Sequence, residues 1–444
     1  MYSTGGVSDR FVPLWSRVEG RLGGPLPAAL RFWDGSEIGP GEEGSCPDVI
    51  VLRTKRALSY AASRPDQLGI ARAFVSGDLV LEGSIERVMA AGARLYGFDF
   101  TLQDKLEAAK LAAGLGAIKI PPPKPPSVEA KPKGRLHSLR RDSEVIQHHY
   151  DVSNDFYRLV LGPTLVYSCA YFDSPEDSLE EAQTRKLDVV CQKLRLEEGE
   201  RLLDIGCGWG SLAIHAASNY GVEVVGVTLS PSQAERARER VAEAGLGGRV
   251  EIRVQDYREV SDGPFDKICS IGMFEHTGSD IDNYFVQTAG LGRPGGLALH
   301  HGICRQHSEE ESPNTFITHY VFPDGELHRV ARVIAGLERS GQELRDVENL
   351  REHYALTLRH WVANLAASQE AAIAEVGEER ERVWRLYMTA SFLAFERGDI
   401  GVNQIVAVIP EKEDIALYRP SPGLPLARPS YARESISVDQ VGQA

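Results

Sequence analysis

Nowhere does this chain hold eighteen apolar residues in a row, which excludes a membrane-spanning helix of the usual length. Basic residues are in deficit: 49 Lys and Arg stand against 63 Asp and Glu, a formal net charge of -14. A general nucleic-acid binder carries the opposite sign, so no nucleic-acid partner is expected. The six cysteines form no CxxC pair, so no metal site is expected and the thiols read as free in a reducing compartment. The opening "MYSTGGVSDRF" has no apolar signal core, which points to the cytosol. No internal repeat is visible. What is present suffices for a sizeable core: 42% of the 444 residues are hydrophobic and 25% charged, enough for two or three domains.

Residues 1–115 read as a small α+β domain. "AALRFWDGSEIGP" gives a strand and turn, "PDVIVLRTKRALSYAAS" a strand then a helix, and "LGIARAFVSGDLVLEG" leads to the helical "SIERVMAAGARLYG". Prolines break the pattern over 116–141. That stretch is basic, with Lys119, Lys124, Lys131, Lys133, Arg135, Arg140 and Arg141 against Glu129. It reads as a solvated linker, or as a tether to anionic lipid. From 142 to 410 strands and helices alternate, with a helical insertion at about 312–396, a last strand "GVNQIVAVIPEK" and a tail at 411–444. Alternation of this kind predicts a doubly wound, Rossmann-like α/β domain with ligands at the carboxyl ends of its strands.

In "LLDIGCGWG" an apolar strand carrying Asp204 runs into Gly206, Gly208 and Gly210. Glycines let the backbone approach a ligand and turn into a helix. A dinucleotide site would read GxGxxG with an acid at the tip of the second strand. Here that tip is "VTLSPSQ", offering Thr228, Ser230 and Gln233. The third strand ends in Asp256 and Tyr257, suited to an adenine amino group and ring face. Together these motifs resemble class I S-adenosylmethionine (SAM)-dependent methyltransferases. A nicotinamide domain is the competing reading, and for Asp256 alone a surface loop acid.

Just before this core stands "HHYDVSNDFYRLVLGPTLVYSCAYF". With "LLDIGCGWG", "GVTLSPSQ", "SIGMFEHTG" and "LHHGI", it resembles the cyclopropane-fatty-acyl-phospholipid synthase family over about 142–410. The N-terminal domain is similar to the small lipid-facing domain of longer bacterial members. The resemblance implies methyl transfer from SAM to a cis double bond of a phospholipid acyl chain, with bound bicarbonate as base. It implies a cradle of Cys169, Glu275, His301, Ile303 (through its backbone) and Tyr354. It assigns Tyr150, Tyr167 and Ser168 to the amino-acid end of SAM. The chemistry suits these types: an alkene attacks a sulfonium methyl only in an aligned, water-excluded slot, and the resulting cation needs shelter and then a base.

Each residue has a plainer reading. Glu275 could cap a turn, Cys169 be a small buried hydrophobe, His301 a satisfied core histidine and Tyr354 a packing ring. His300 adjoins His301, and only one can face inward on a strand; the family's His-x-Ile spacing selects His301. Cys191, Cys207, Cys269 and Cys304 read as structural. Two departures stand out: Glu144, and "DVSND" where many cyclopropane synthases read "DLGND". They resemble the actinobacterial-type branch that makes methylene- or methyl-branched chains, and Glu144 could alter which cation is favoured or be a surface acid. The expected product is therefore a methylene-branched chain, with cyclopropanation the alternative. Another small-molecule or protein methyltransferase and a non-catalytic lipid-binding protein are competing classes. The expected partners are a phospholipid membrane surface at the inner face of the cell membrane and an unsaturated acyl chain. A partner reductase and homo-oligomerisation are left open.

Overall fold

In this computed structural model the described residues are 6–24, 26, 28–39, 48–92, 101–118, 121–130, 141, 152–306 and 315–409. Glu144 and Tyr150 lie outside them, as do Lys119, Lys131, Lys133, Arg135 and Arg140 of the basic stretch. Contacts divide the chain into two units: Met1–Lys131 with Glu310–Pro323 and Ser368–Leu393, and Pro132–Glu309 with Asp324–Ala367 and Ala394–Ala444. This division cuts across the expected bounds, because residues 116–131 and parts of the expected insertion group with the N-terminal residues.

In the first unit, short aliphatic runs form a four-stranded sheet in the order β2-β1-β3-β4. Its strands are β1 (Ala28–Arg31), β2 (Glu37–Ile38), β3 (Asp48–Leu52) and β4 (Leu79–Glu82). Strand β1 runs parallel to β3 and antiparallel to β2. The helices Lys55–Ser63 and Gln67–Val75 start where Thr54 and Asp66 accept backbone N–H bonds, as helix caps do. Phe32, Leu52, Tyr60 and Ala73 close the core. Two further helices, Val7–Leu22 and Leu102–Gly114, went unmarked in the sequence. The stretch expected to be a solvated linker is partly docked: Glu129 is buried and takes two bonds from Arg72, at 2.8 and 2.6 Å, and one from the Tyr320 hydroxyl at 2.9 Å.

The second unit holds a seven-stranded sheet in the order β10-β11-β9-β8-β5-β6-β7. The parallel strands β5 (Arg201–Ile205), β6 (Glu223–Thr228), β7 (Val250–Val254), β8 (Phe265–Ile271) and β9 (Gly292–Arg305) fall where the apolar runs predict. Leu202, Leu203, Ile268, Ala298 and Leu299 on these strands are fully buried, which is why the runs are nearly continuous rather than alternating. Strand β11 (Ile400–Val408) is antiparallel to both β9 and β10 (Glu343–Asn349). The expected "helical" insertion therefore also contains an edge strand. Its sequence, "ELRDVEN", is too polar to announce a strand: Glu343, Arg345, Val347 and Asn349 are exposed, and only the alternate residues are half-buried. Strand order reverses at β5, which pairs with β6 on one side and β8 on the other. A doubly wound sheet opens a crevice at that point.

Candidate active site

The glycine turn is forced into left-handed backbone: φ is +80° at Gly206, +54° at Gly208 and +75° at Gly210. The amides of Gly206 and Cys207 donate to the carbonyl of Val227 on β6, at 2.9 and 3.0 Å, pinning the turn to the neighbouring strand. A Cβ on Gly208 would meet nothing closer than Gln233 Nε2 at 4.0 Å, so this glycine keeps open a space rather than a packing contact. Gly210 differs: its Cβ would sit 3.2 Å from Ala237, so it serves the packing of helix Ser211–Tyr220 on helix Pro231–Glu243.

A cavity opens at this turn, at the carboxyl ends of β5, β6 and β7. Tyr167, Ser168, Asp204, Gly206, Gly208, Thr228, Gln233, Asp256 and Tyr257 all line it. Thr228 Oγ1 donates to Gln233 Oε1 at 3.0 Å, which leaves the amide NH₂ of Gln233 to face a ligand. Ser230 does not line the cavity; its hydroxyl caps helix Pro231–Glu243 by accepting the Gln233 amide. Asp256 is held by Arg258 through Nε at 2.8 Å and a second guanidinium nitrogen at 2.7 Å. Its carboxylate is therefore shared with an arginine the sequence reading did not consider.

Two buried charges stand at the cavity, Asp204, which the glycine motif marks, and Lys186, which no motif does. Lys186 lines the cavity and donates to Ser168 Oγ at 2.9 Å. Asp204 is buried, and its Oδ2 has no hydrogen-bond partner among the described residues. Burial pushes the Asp204 carboxyl up to about 7, against the pull of Lys186. Burial likewise pushes Lys186 down to about 8. Lys186 stands mid-helix in "AQTRKLDVV", where a lysine reads as a solvated face; only the fold shows it turned inward.

Glu275, His301 and Ile303 lie at or just past the carboxyl ends of β8 and β9. Glu275 sits in a tight turn, Phe274–His276, directly after β8. Its Oε1 accepts the Ile303 amide at 2.8 Å, while Oε2 is buried without a partner among the described residues. Burial pushes its carboxyl up to about 7, moderated by the Ile303 amide and its own. Ile303 pairs with Val402 on β11, whose carbonyl accepts the Leu350 amide at 2.8 Å. The Leu350 carbonyl then takes the Tyr354 amide at 3.0 Å and the Cys169 thiol at 3.7 Å. Glu275 is thus fixed to Ile303 on β9, while Tyr354 and Cys169 share the Leu350 carbonyl beside β11.

Strand alternation separates the two histidines. His300 Nδ1 lies 3.0 Å from the Tyr284 hydroxyl, and its ring meets Phe285 edge-on. His301 is buried with neither ring nitrogen bonded to a described residue. Burial first, then the charges of Lys186 and Lys193, hold its pKa well below the usual value, so the ring is neutral. Cys169 is fully buried, which pushes its thiol far up and leaves it a thiol rather than a thiolate. A file of aromatic rings leads from the cavity toward the cradle: Trp209 to Tyr157 at 4.6 Å, Tyr157 to Tyr167 at 5.6 Å, Tyr167 to Trp361 at 5.4 Å and Trp361 to Tyr354 at 6.0 Å. Their negative faces suit positive charge.

Residues 137–405 match a family model described as mycolic acid cyclopropane synthetase. A "probable fatty acid methyltransferase" of Mycobacterium tuberculosis is 41% identical over 89% of this chain and 95% of its own length. A protein of the same description from Pseudomonas putida is 40% identical, over 87% and 92%. The cyclopropane-fatty-acyl-phospholipid synthase of Escherichia coli K12 is 39% identical, over 61% of this chain and 69% of that one. Among solved structures, a mycolic acid cyclopropane synthase complexed with SAH and CTAB superimposes with a TM-score of 0.57 at 36% identity, covering 60% of this chain and 98% of that one.

Proposed function

The chain belongs to the mycolic acid cyclopropane synthetase family, and from that premise we propose that it transfers the methyl of SAM to a cis double bond of an unsaturated phospholipid acyl chain, giving a methylene-branched chain. As a member it is a SAM-dependent methyltransferase. The observation that carries the reading is the pairing of two features in one unit. A glycine-turn cavity stands beside a dry cradle in which Glu275 Oε2 and both nitrogens of His301 have no bond to a described residue. A methyltransferase acting on a nitrogen or oxygen has no need of such a cradle; a carbon nucleophile that leaves a cation does.

The cavity residues orient the donor. The amide NH₂ of Gln233 and the hydroxyls of Tyr167 and Ser168 supply polar contacts, and Tyr257 a ring face. The π-electrons of the alkene form the new C–C bond as the S–CH₃ bond breaks and S-adenosylhomocysteine leaves. Positive charge then rests on the neighbouring carbon, and the aromatic file shelters it. Bound bicarbonate would supply a small base. Glu275 Oε2 and the two nitrogens of His301 are the groups left to hold it, with Tyr354 and Cys169 beside them. The Ile303 amide is already given to Glu275, so its part is to aim that carboxyl. Near neutral pH Glu275 can keep or lose a proton, which suits a group that shares one.

Both products lose a proton from the new methyl. Direct loss closes a ring; a hydride shift to the first cationic carbon before that loss leaves a methylene branch on the chain. The methylene reading is supported by the "DVSND" variant, by Glu144, and by relatives described as fatty acid methyltransferases along nearly the whole chain. The cyclopropane reading is favoured by the family description itself. Incubation with labelled SAM and unsaturated phospholipid vesicles, followed by NMR of the product chains, tests both. Methylene protons appear in the olefinic region and ring protons far upfield. Upfield signals alone would overturn the methylene product, and no label in any acyl chain would overturn the reaction.

The substrate places the enzyme at a bilayer, and the helix Leu102–Gly114 supports docking there. Leu102 and Leu106 are 74% and 53% exposed, and Ala109 and Ala113 extend the same exposed stripe at i, i+4, i+7 and i+11. Lys105 and Lys110 flank it on either side, in the pattern of a helix lying in an anionic lipid interface. Among the described residues no helix is long and apolar enough to cross a membrane. Arg141 of the basic stretch is already committed to Asp324, through two bonds of 2.7 Å, and is not a free lipid contact.

A further inference from the structure

We propose that Lys186 is a positioning residue of the methyl-donor site, which supplies the counter-charge for the carboxylate at the amino-acid end of SAM and aims the Ser168 hydroxyl at it. The inference rests on the reading of the glycine-turn cavity as the donor site. An ammonium ion taken out of water needs either an anion or a full set of acceptors. Lys186 is 2% exposed, yet its one hydrogen bond to a described residue is to a neutral hydroxyl, Ser168 Oγ at 2.9 Å. Among the described residues no carboxylate lies within ion-pair distance of it. The same lysine lines the cavity, as do Ser168 and Asp204. A buried cation with no carboxylate at contact distance that faces a ligand space is matched by an anionic group on the ligand. The amino-acid end of SAM carries a carboxylate.

The hydrogen-bond direction adds specificity. Ser168 Oγ accepts from Lys186, so its own proton is free to donate into the cavity. The ammonium polarises that hydroxyl and fixes its rotamer. Asp204, another charged residue of the cavity, has an Oδ2 with no partner among the described residues, which suits the ligand's ammonium. Lysine and aspartate together match a zwitterion, and each repels the wrong end.

The experiment compares SAM with decarboxylated SAM, which keeps the sulfonium, the amine and the adenosine but lacks the carboxylate. Binding of both is measured by calorimetry to the full-length protein and to Lys186→Met and Ser168→Ala. The parent should bind SAM at least 30-fold more tightly than the decarboxylated analogue. Lys186→Met should reduce that preference to less than threefold, chiefly by weakening SAM, and raise KM for SAM far more than it changes kcat. Ser168→Ala should reduce the preference by a smaller factor, and the two substitutions should not be additive. Equal weakening of both ligands in a folded Lys186→Met protein would assign the lysine a merely structural role and overturn the proposal. If Lys186→Met does not fold, the parent and Ser168→Ala still decide it: a parent that binds both compounds equally has no carboxylate site. A parent that binds neither compound would overturn the donor-site reading itself, and the proposal with it.

Discussion

The donor cavity and the cradle lie a few residues apart on the same sheet, but their polar groups are managed in opposite ways. Around the cavity most polar groups already have partners: Thr228 holds Gln233, Ser230 caps the next helix and Arg258 holds Asp256, with Lys186 and the Oδ2 of Asp204 left to meet the ligand. In the cradle, Glu275 Oε2 and both nitrogens of His301 are buried with no described partner. Leaving such groups unpaired costs about 1–3 kcal/mol each. The first region is pre-set for a large ligand that brings its own shape, whereas the second carries a polar deficit that a small ligand would relieve. Binding and chemistry should therefore separate under substitution.

The largest expected effect is on the cavity alone. Gly208→Val puts a branched side chain on a left-handed residue and into the open space before Gln233. SAM affinity should fall by about a hundredfold or more, about 3 kcal/mol, with the sheet still folded by circular dichroism. Unchanged calorimetric binding in that variant would place the donor elsewhere.

Glu275→Gln addresses the cradle alone. It keeps size but removes the titrating group, so kcat should fall at least about tenfold, about 1.4 kcal/mol of barrier, while SAM binding stays within about threefold. Turnover should also slow when bicarbonate is exhaustively removed. If kcat survives both treatments, the base is not held here.

The same carboxyl makes a pH test. Its folded pKa is raised, from 4.5 to about 7. A raised acid favours the folded state below the unfolded pKa, and that contribution is lost as pH rises through the folded value. Between pH 5 and pH 8 the parent should therefore lose about 2–3 kcal/mol of stability relative to Glu275→Gln. Urea titrations at the two pH values measure it, and parallel curves would mean the site is wetter than the structure has it.

The smallest effect lies outside both regions. Leu102→Gln with Leu106→Gln should weaken sedimentation with anionic vesicles by about tenfold and leave methylation of detergent-dispersed lipid unchanged. Equal sedimentation would remove this helix from the docking surface.

Legibility followed locality. The parallel strands and the glycine turn could be read because each is a contiguous pattern. Glu275 and His301 could be placed because short motifs surround them, and strand alternation alone then decides between His300 and His301. Strand β10 could not be read, since an edge strand with polar residues on both faces lacks the apolar run that signals a strand. Lys186 and Arg258 could not be read either: a lysine in a helix and an arginine in a turn look solvated until distant segments, Ser168 and Asp256 among them, close around them. The docked position of Glu129 has the same cause, since Arg72 and Tyr320 are 57 and 191 residues away in sequence.

The position of β11 has a consequence for synthesis. Among the described residues it is the last strand to be made, yet it belongs between β9 and β10. Until residues 400–408 are available, β9 presents a bare edge along His301 and Ile303, and β10 has no neighbour at all. A growing chain can complete the donor cavity on β5 to β7 well before the cradle has its wall. Chains halted before residue 400 should therefore aggregate through that open edge at concentrations where the full chain stays dispersed, which light scattering of the two would show.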